Sequence, residues 1–183
     1  MRYLILLTAI LLTSCVSYPR QVESVELAYE AKFPLLKDNN WASFSALHEI
    51  TVKEKEQTYS FKVQVEVFEN QITIIGLTPV HSRSFLISSK NGIINYEEHP
   101  YFRYPVEPEK MIIDIIMVHC PLHLLKENLR NTDITVEHKK DLRVFKKDSK
   151  ELTKIKYSKN QFLINHSESP FSIEIKVLDF EKL

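Results

Sequence analysis

Residues 58–70 read TYSFKVQVEVFEN, and their alternation decides the fold class. Tyr59, Phe61, Val63, Val65 and Val67 fall on one side of an extended chain and Ser60, Lys62, Gln64 and Glu66 on the other, because successive strand side chains point to opposite faces. One face is apolar and the other wet, the pattern of an antiparallel strand laid over a core. Upstream, FSALHEITVKEK (44–55) reads as the preceding strand, turning near Glu56. Downstream come ITIIGLT (72–78), SFLISS (84–89) and IINYEE (93–98), the last two joined through Asn91-Gly92, the strongest short hairpin signal. The first half is therefore a meander of about five strands.

The pattern breaks at HPYFRYPVEPEK (99–110), whose prolines interrupt strand pairing. EKMIIDIIMVHCPLHLLKENL (109–129) is too long and too evenly apolar for one exposed strand, and Leu122, Leu125 and Leu129 recur at helical spacing. We read two short helices hinged near Pro121, which suits a first-turn position. Isoleucine runs are poor helix formers, so a buried strand from Met111 to Val118 is the open alternative. Strands resume after RNTD with ITVEHK (134–139), LRVFKK (142–147), LTKIKYSKN (152–160), QFLIN (161–165) and FSIEIKVLDF (171–180). Strands, helices, then strands again make this a mainly β (α+β) chain: a long antiparallel sheet with a helical insertion, after the fifth strand, covering one face.

The first fifteen residues, MRYLILLTAILLTSC, combine one basic residue, an apolar run too short to span a bilayer, and small residues before a cysteine. That is an export signal, and LTSC fits the lipobox in which Cys15 is acylated and becomes the anchor in membrane lipid. An ordinary cleaved signal or an uncleaved anchor is the alternative. Val16 follows where Asp would favour inner-membrane retention, so the expected address is the outer membrane, facing the periplasm. Residues 16–30 would form a tether, with a short helix from Val22 to Ala31, leaving 31–183 as one folded domain.

Lys and Arg balance Asp and Glu, 24 against 24, without long basic blocks, so a nucleic-acid partner is not expected. The two glycines, Gly76 and Gly92, build neither a phosphate loop nor a Gly-x-Ser-x-Gly elbow. With Cys15 lipidated, Cys120 has no partner for an intrachain disulfide.

Three motifs resemble LolB, the outer-membrane receptor of the bacterial lipoprotein localisation system. LTPVHSRSF (77–85) is similar to a loop in which Pro precedes an exposed apolar residue that helps move lipoproteins into the membrane, which implies that role for Pro79 and Val80. The segment 111–129 resembles that family's helical Pro-Leu-x-x-Leu pattern through Pro121, Leu122 and Leu125, and Leu152, Ile155 and Tyr157 resemble its late Leu-x-x-Ile-x-Tyr strand. His81 stands where that family has Gly, and Asn128 where it tends to have Trp. The whole arrangement also resembles a family of bacterial outer-membrane lipoproteins known only as a domain of unknown function, some of them encoded among aryl-polyene pigment genes. The resemblance implies an unclosed antiparallel barrel of about ten or eleven strands with a helical lid. It further implies an apolar cavity for a lipoprotein acyl chain, lipid or polyene lipid, and a periplasmic lipoprotein carrier as a partner.

Such a cavity would be lined by Tyr59, Phe61, Val63, Val65, Ile74 and Phe85 from the sheet and by Met111, Ile112, Ile115, Ile116, Leu122 and Leu125 from the lid. A helix apolar all round must be buried, so MIIDIIMV (111–118) would plug the concave face, either as part of a cavity or as plain core. Asp114 is the one charge the run does not explain, and it reads as a surface position or one facing the wet rim or a head group, since buried carboxylates are rare unless paired. The alternative to ligand binding is a structural or assembly partner of another envelope protein, with a side-chain-filled sheet and an exposed apolar patch. His48, His81, His99, His138 and His166 are scattered without a metal or catalytic motif, and Glu97-Glu98-His99 is a weak carboxylate–imidazole cluster. His119, Cys120 and His123 raise the question of a metal or thiol site, but a tetrahedral site needs a fourth ligand. We expect no catalytic site, metal or cofactor. Cys120 reads instead as filling a small apolar gap at the hinge of the lid, with both histidines near its edge.

Overall fold

The computed structural model describes residues 19–36, 41–80, 82–98 and 107–183. The alternating stretch forms β5 (Gln57–Phe68), flanked by β4 (Phe44–Glu54) and β6 (Gln71–Leu77), and continued by β7 (Arg83–Lys90) and β8 (Ile93–Glu98). Helices α1 (Pro108–His119) and α2 (Leu122–Asn128) follow, then β9 (Ile134–Lys139), β10 (Leu142–Lys147), β11 (Lys150–Ser158), β12 (Gln161–His166) and β13 (Phe171–Lys182). Ahead of β4 lie three short strands, β1 (Arg20–Gln21), β2 (Ser24–Glu26) and β3 (Lys32–Pro34).

Eleven strands form one sheet in the order β1-β8-β7-β6-β5-β4-β13-β12-β11-β10-β9. Two antiparallel meanders are joined where β4 meets β13, in a ladder running from Glu54↔Phe171 to Phe44↔Lys182 and broken by one bulge between Val177 and Asp179. The terminal strands β1 and β9 do not pair with each other, so the barrel is unclosed, as expected. Within each meander the turns are short. Glu69-Asn70, Asn91-Gly92 and Asp148-Ser149 carry positive φ at both central residues, the primed geometry that matches strand twist.

The segment 111–118 is helical: Pro108 opens α1, and the run Ile112 to Val118 is buried without interruption. A helix buried on every side suits a curved sheet that wraps it, which removes the penalty isoleucine carries on an exposed helix. The hinge lies where the sequence places it. Cys120 and Pro121 are extended (ψ 133° and 141°), and Pro121 caps α2 from just outside it rather than occupying its first turn.

Residues 22–31 are not helical. They give β2 and a 3-10 turn at Ala28–Glu30, after which the chain returns as β3 to pair with β2. This segment crosses the mouth of the half-barrel: β1 pairs with β8, while Phe33 packs edge-on against Phe145 of β10 and Lys147 Nζ donates to Tyr29 O. The core takes in one face of this strap, where Val25, Ala31, Phe33 and Leu35 are buried, while Glu26 and Lys32 on the other face are exposed. Among the described residues no helix is long and apolar enough to cross a membrane.

Candidate functional site

The concave face of the sheet and α1 meet through the inward positions of β5, β6 and β7. Phe61, Val63, Val65, Ile74 and Phe85 from the sheet, and Ile112, Ile115 and Ile116 from α1, are all buried in one cluster with Leu125. Met111 and Leu122 lie half-buried at its margin. Tyr59 stands apart, 38% exposed at the outer end of β5, where its hydroxyl donates to Gln57. Gly76 is required here for close approach: a Cβ at that position would overlap the ring of Phe85, its partner across β6 and β7. The trough is therefore filled by side chains, with α1 seated in it.

Three polar fastenings hold α1. Its N-terminal turn is tied at the surface by Arg20 to Glu109 (2.8 Å). Midway, Asp114 is not a surface residue: it is 6% exposed and pairs with His166 Nε2 at 3.0 Å, while His166 Nδ1 meets Thr153 Oγ1 at 3.0 Å. Burial lowers the His166 pKa, but the charge of Asp114 and its hydrogen bond outweigh that, and the net shift is upward. Hydroxyl, imidazole and carboxylate in a row resemble a nucleophilic triad, but Thr153 is fully buried within the sheet and offers no approach to a substrate.

At the C-terminal end, where the last carbonyls of a helix lack internal partners, Arg143 of β10 supplies the donors. Its Nη1 donates to Met117 O (2.6 Å) and Cys120 O (3.0 Å), with Val118 O at 3.4 Å. The Tyr157 hydroxyl also donates to Val118 O (3.0 Å), and the Tyr157 ring lies under the guanidinium at 5.4 Å. Arg143 is buried, which lowers its pKa, and its charge is met by carbonyl dipoles. Spacing along the sequence carries no trace of this pin, because its parts lie about 25 residues apart and meet only across the sheet.

At the last residue of α1 two imidazoles stack face to face, His48 of β4 and His119, at 5.1 Å between centroids and 3° between planes. Burial pushes the His48 pKa down to about 4 and that of His119 down to about 3, so both are neutral. His48 Nδ1 and Nε2 and His119 Nε2 are buried without hydrogen-bond partners among the described residues. Cys120 is buried and its thiol is pushed up to about 12, the protonated form. His123 points outward on α2, separated from His119 by the break in the helix. Among the described residues no three His, Cys, Asp or Glu side chains gather as metal ligands. A cleft of about 150 Å³ opens beside His119 and Pro121, walled by Trp41, Phe44 and Phe180 with Lys182 at its rim.

The loop between β6 and β7 is closed by Thr78 and Ser82, whose hydroxyls lie 2.6 Å apart, and it presents Pro79 and Val80 to solvent. Val80 is 80% exposed. Asn128 donates to Pro34 O, tying α2 to the strap. Cys15, His81 and His99 lie outside the described residues.

Three solved structures are similar in fold. A LolA superfamily protein from Nitrosomonas europaea aligns over 80% of this chain and 89% of that one at 10% identity, with a TM-score of 0.45. A domain from Vibrio parahaemolyticus, described as an outer membrane lipoprotein-sorting protein, aligns over 80% and 87% at 10% identity and a TM-score of 0.41. A DUF1329 family protein from Desulfovibrio piger aligns over 79% and 87% at 7% identity and a TM-score of 0.44. The sequence matches no curated protein. From within β4 to within β13, residues 45–179 match a single family model, and the chain belongs to that family, described as a protein of unknown function (DUF3261).

Proposed function

We propose that the chain is a non-enzymatic lipoprotein, anchored through Cys15 in the outer membrane and facing the periplasm, that binds or passes a hydrophobic ligand. The ligand would be a lipoprotein acyl chain, a lipid or a polyene lipid, exchanged with a periplasmic carrier. The observation that carries this reading is the seating of α1, whose seven consecutive buried residues fill the concave trough while its polar fastenings are few and local. Exposing the six apolar side chains among them costs ~1.5–3 kcal/mol each, or ~9–18 kcal/mol together, which forbids spontaneous withdrawal. A sixteen-carbon acyl chain taking their place contributes ~0.8 kcal/mol per methylene, about 13 kcal/mol, so exchange of helix for lipid is close to balanced. The opened trough would present Phe61, Val63, Val65, Ile74 and Phe85 to the chain on one side and Met111, Ile112, Ile115, Ile116, Leu122 and Leu125 on the other.

Four residues, or five chain steps, separate Cys15 from β1, a reach of at most ~18 Å, so the anchor would hold the β1 edge close to the bilayer. Pro79 and Val80 would then serve as the tip that touches membrane during transfer. The filled trough also supports a second reading, an assembly partner of another envelope protein that never opens. Native mass spectrometry of the protein purified from cells, with uptake of a fluorescent fatty acid, separates the two. Bound lipid or saturable uptake is expected; neither lipid nor uptake refutes the ligand reading and leaves the assembly partner.

A further inference from the structure

We propose that the cleft beneath the α1–α2 junction, walled by Trp41, Phe44 and Phe180 and rimmed by Lys182, is the docking site for a long-chain carboxylate. This rests on the ligand reading above and gives that ligand a head-group chemistry and a point of first contact. Helix α1 covers the concave face only as far as His119. Past that point the face is open at Phe180 of β13, which stacks on the buried Phe44 of β4 at 5.3 Å and 21°, while the buried Trp41 meets Phe44 edge-on at 6.0 Å and Pro121 joins the lining.

Phe180 is 47% exposed although its ring lies against the core residue Phe44. An exposed aromatic ring backed by buried ones, at the end of an otherwise filled trough, is the surface a hydrocarbon chain would cover. The cleft's volume of about 150 Å³ holds a terminal piece of such a chain and not the whole of it. A bound chain would therefore have to continue under α1.

Charge completes the complementarity. Lys182 lies two residues beyond Phe180, on the same face of β13, and has no ion-pair partner among the described residues. The intervening Glu181 and the preceding Asp179 alternate to the other face. The walls add a buried donor, the Trp41 Nε1–H, which has no hydrogen-bond partner among the described residues. An apolar slot with a lone cation at its rim selects a ligand with one apolar tail and one negative head.

Trp41 is the only tryptophan in the sequence, so its fluorescence reports on this cleft alone. The test uses the chain carrying Cys15→Ser and titrates it with dibrominated stearate, whose bromines quench an indole on contact, and with its neutral methyl ester. Saturable quenching by the acid is expected. Lys182→Glu should weaken the acid by about tenfold and leave the ester unchanged. Phe180→Ala should weaken both, with circular dichroism confirming that the fold is kept.

Stearate retained in native mass spectra without quenching of Trp41 overturns this site and leaves the ligand reading intact. Absence of binding overturns both. Equal loss for acid and ester in Lys182→Glu overturns the carboxylate. Quenching that appears only where sedimentation shows the chain associating assigns the patch to a second copy and overturns the proposal.

Discussion

Replacing Arg143 by Met should loosen the C-terminal end of α1 and cost about 3–5 kcal/mol of stability. The guanidinium makes two short hydrogen bonds, to Met117 O at 2.6 Å and Cys120 O at 3.0 Å, and a longer one to Val118 O at 3.4 Å. Charged hydrogen bonds contribute ~1.5–3 kcal/mol each, and methionine fills a similar volume while leaving the carbonyls buried and unpaired. Part of the loss is offset, because the substitution also removes the cost of keeping a cation out of water. Arg143→Lys keeps the charge but reaches fewer of the three oxygens, so about half the loss is expected.

Urea unfolding checks this. With an m-value of ~2 kcal/mol/M the midpoint of Arg143→Met should fall by about 2 M. Tyr157→Phe removes the other donor to Val118 O, and the double variant should show a coupling of at least ~0.5 kcal/mol, since both side chains serve one carbonyl. A loss below ~1 kcal/mol in Arg143→Met would mean that the helix end satisfies itself in another way, and the pin would have no role in closing the lid.

Proton linkage at the two histidine sites has opposite signs. His166, raised by Asp114, contributes stability that is fully present below pH ~6.5 and is lost as the pH rises through its elevated value. His48 and His119, lowered by burial, contribute stability that is present above pH ~6.5 and is lost as the pH falls towards about 4 and about 3. Asp114→Asn should therefore abolish the decline in Tm on the alkaline side of pH ~6.5, and a slope equal to the parent's would exclude the pair as its source. Gly76→Val should cost about 1–3 kcal/mol, measured by thermal unfolding, because the new side chain drives Phe85 into α1. Val80→Glu should leave Tm unchanged within the ~0.5 kcal/mol typical of exposed sites while slowing lipid transfer to vesicles; normal transfer would remove the loop from the mechanism. Cys15→Ala should abolish incorporation of labelled palmitate in growing cells, and retained label would place the lipid elsewhere.

The strands were legible because each carries its own evidence of period two and each meander turns tightly. The insertion was legible because Pro108 and Pro121 bracket a run too long for a strand. The strap at residues 20–36 was not, since strands of two or three residues have no measurable period and are specified by what they lie against. Asp114 looked like a surface charge for a sound reason, the rarity of buried carboxylates, and its partner His166 lies some fifty residues away on β12. Arg143 sits in LRVFKK at a position that reads as the wet side of a strand, and only the helix end above it explains a buried cation. The His48–His119 stack is likewise invisible along the chain, because it joins the middle of β4 to the last residue of α1.

The ladder between β4 and β13 has a kinetic consequence. It joins the first long strand to the last across more than a hundred residues of chain, and contacts of such separation close slowly because the loop entropy comes before any reward. Until β13 arrives, the two meanders are separate ribbons, each with an unpaired edge that could recruit a strand from another molecule. Under the export proposed above, the chain would cross a membrane unfolded and gain from this order of events, since it cannot lock prematurely, but it would then need protection during the interval. Lengthening the turn before β13 should lower stability and slow refolding together, the rate falling by at most the fold-change in the equilibrium constant.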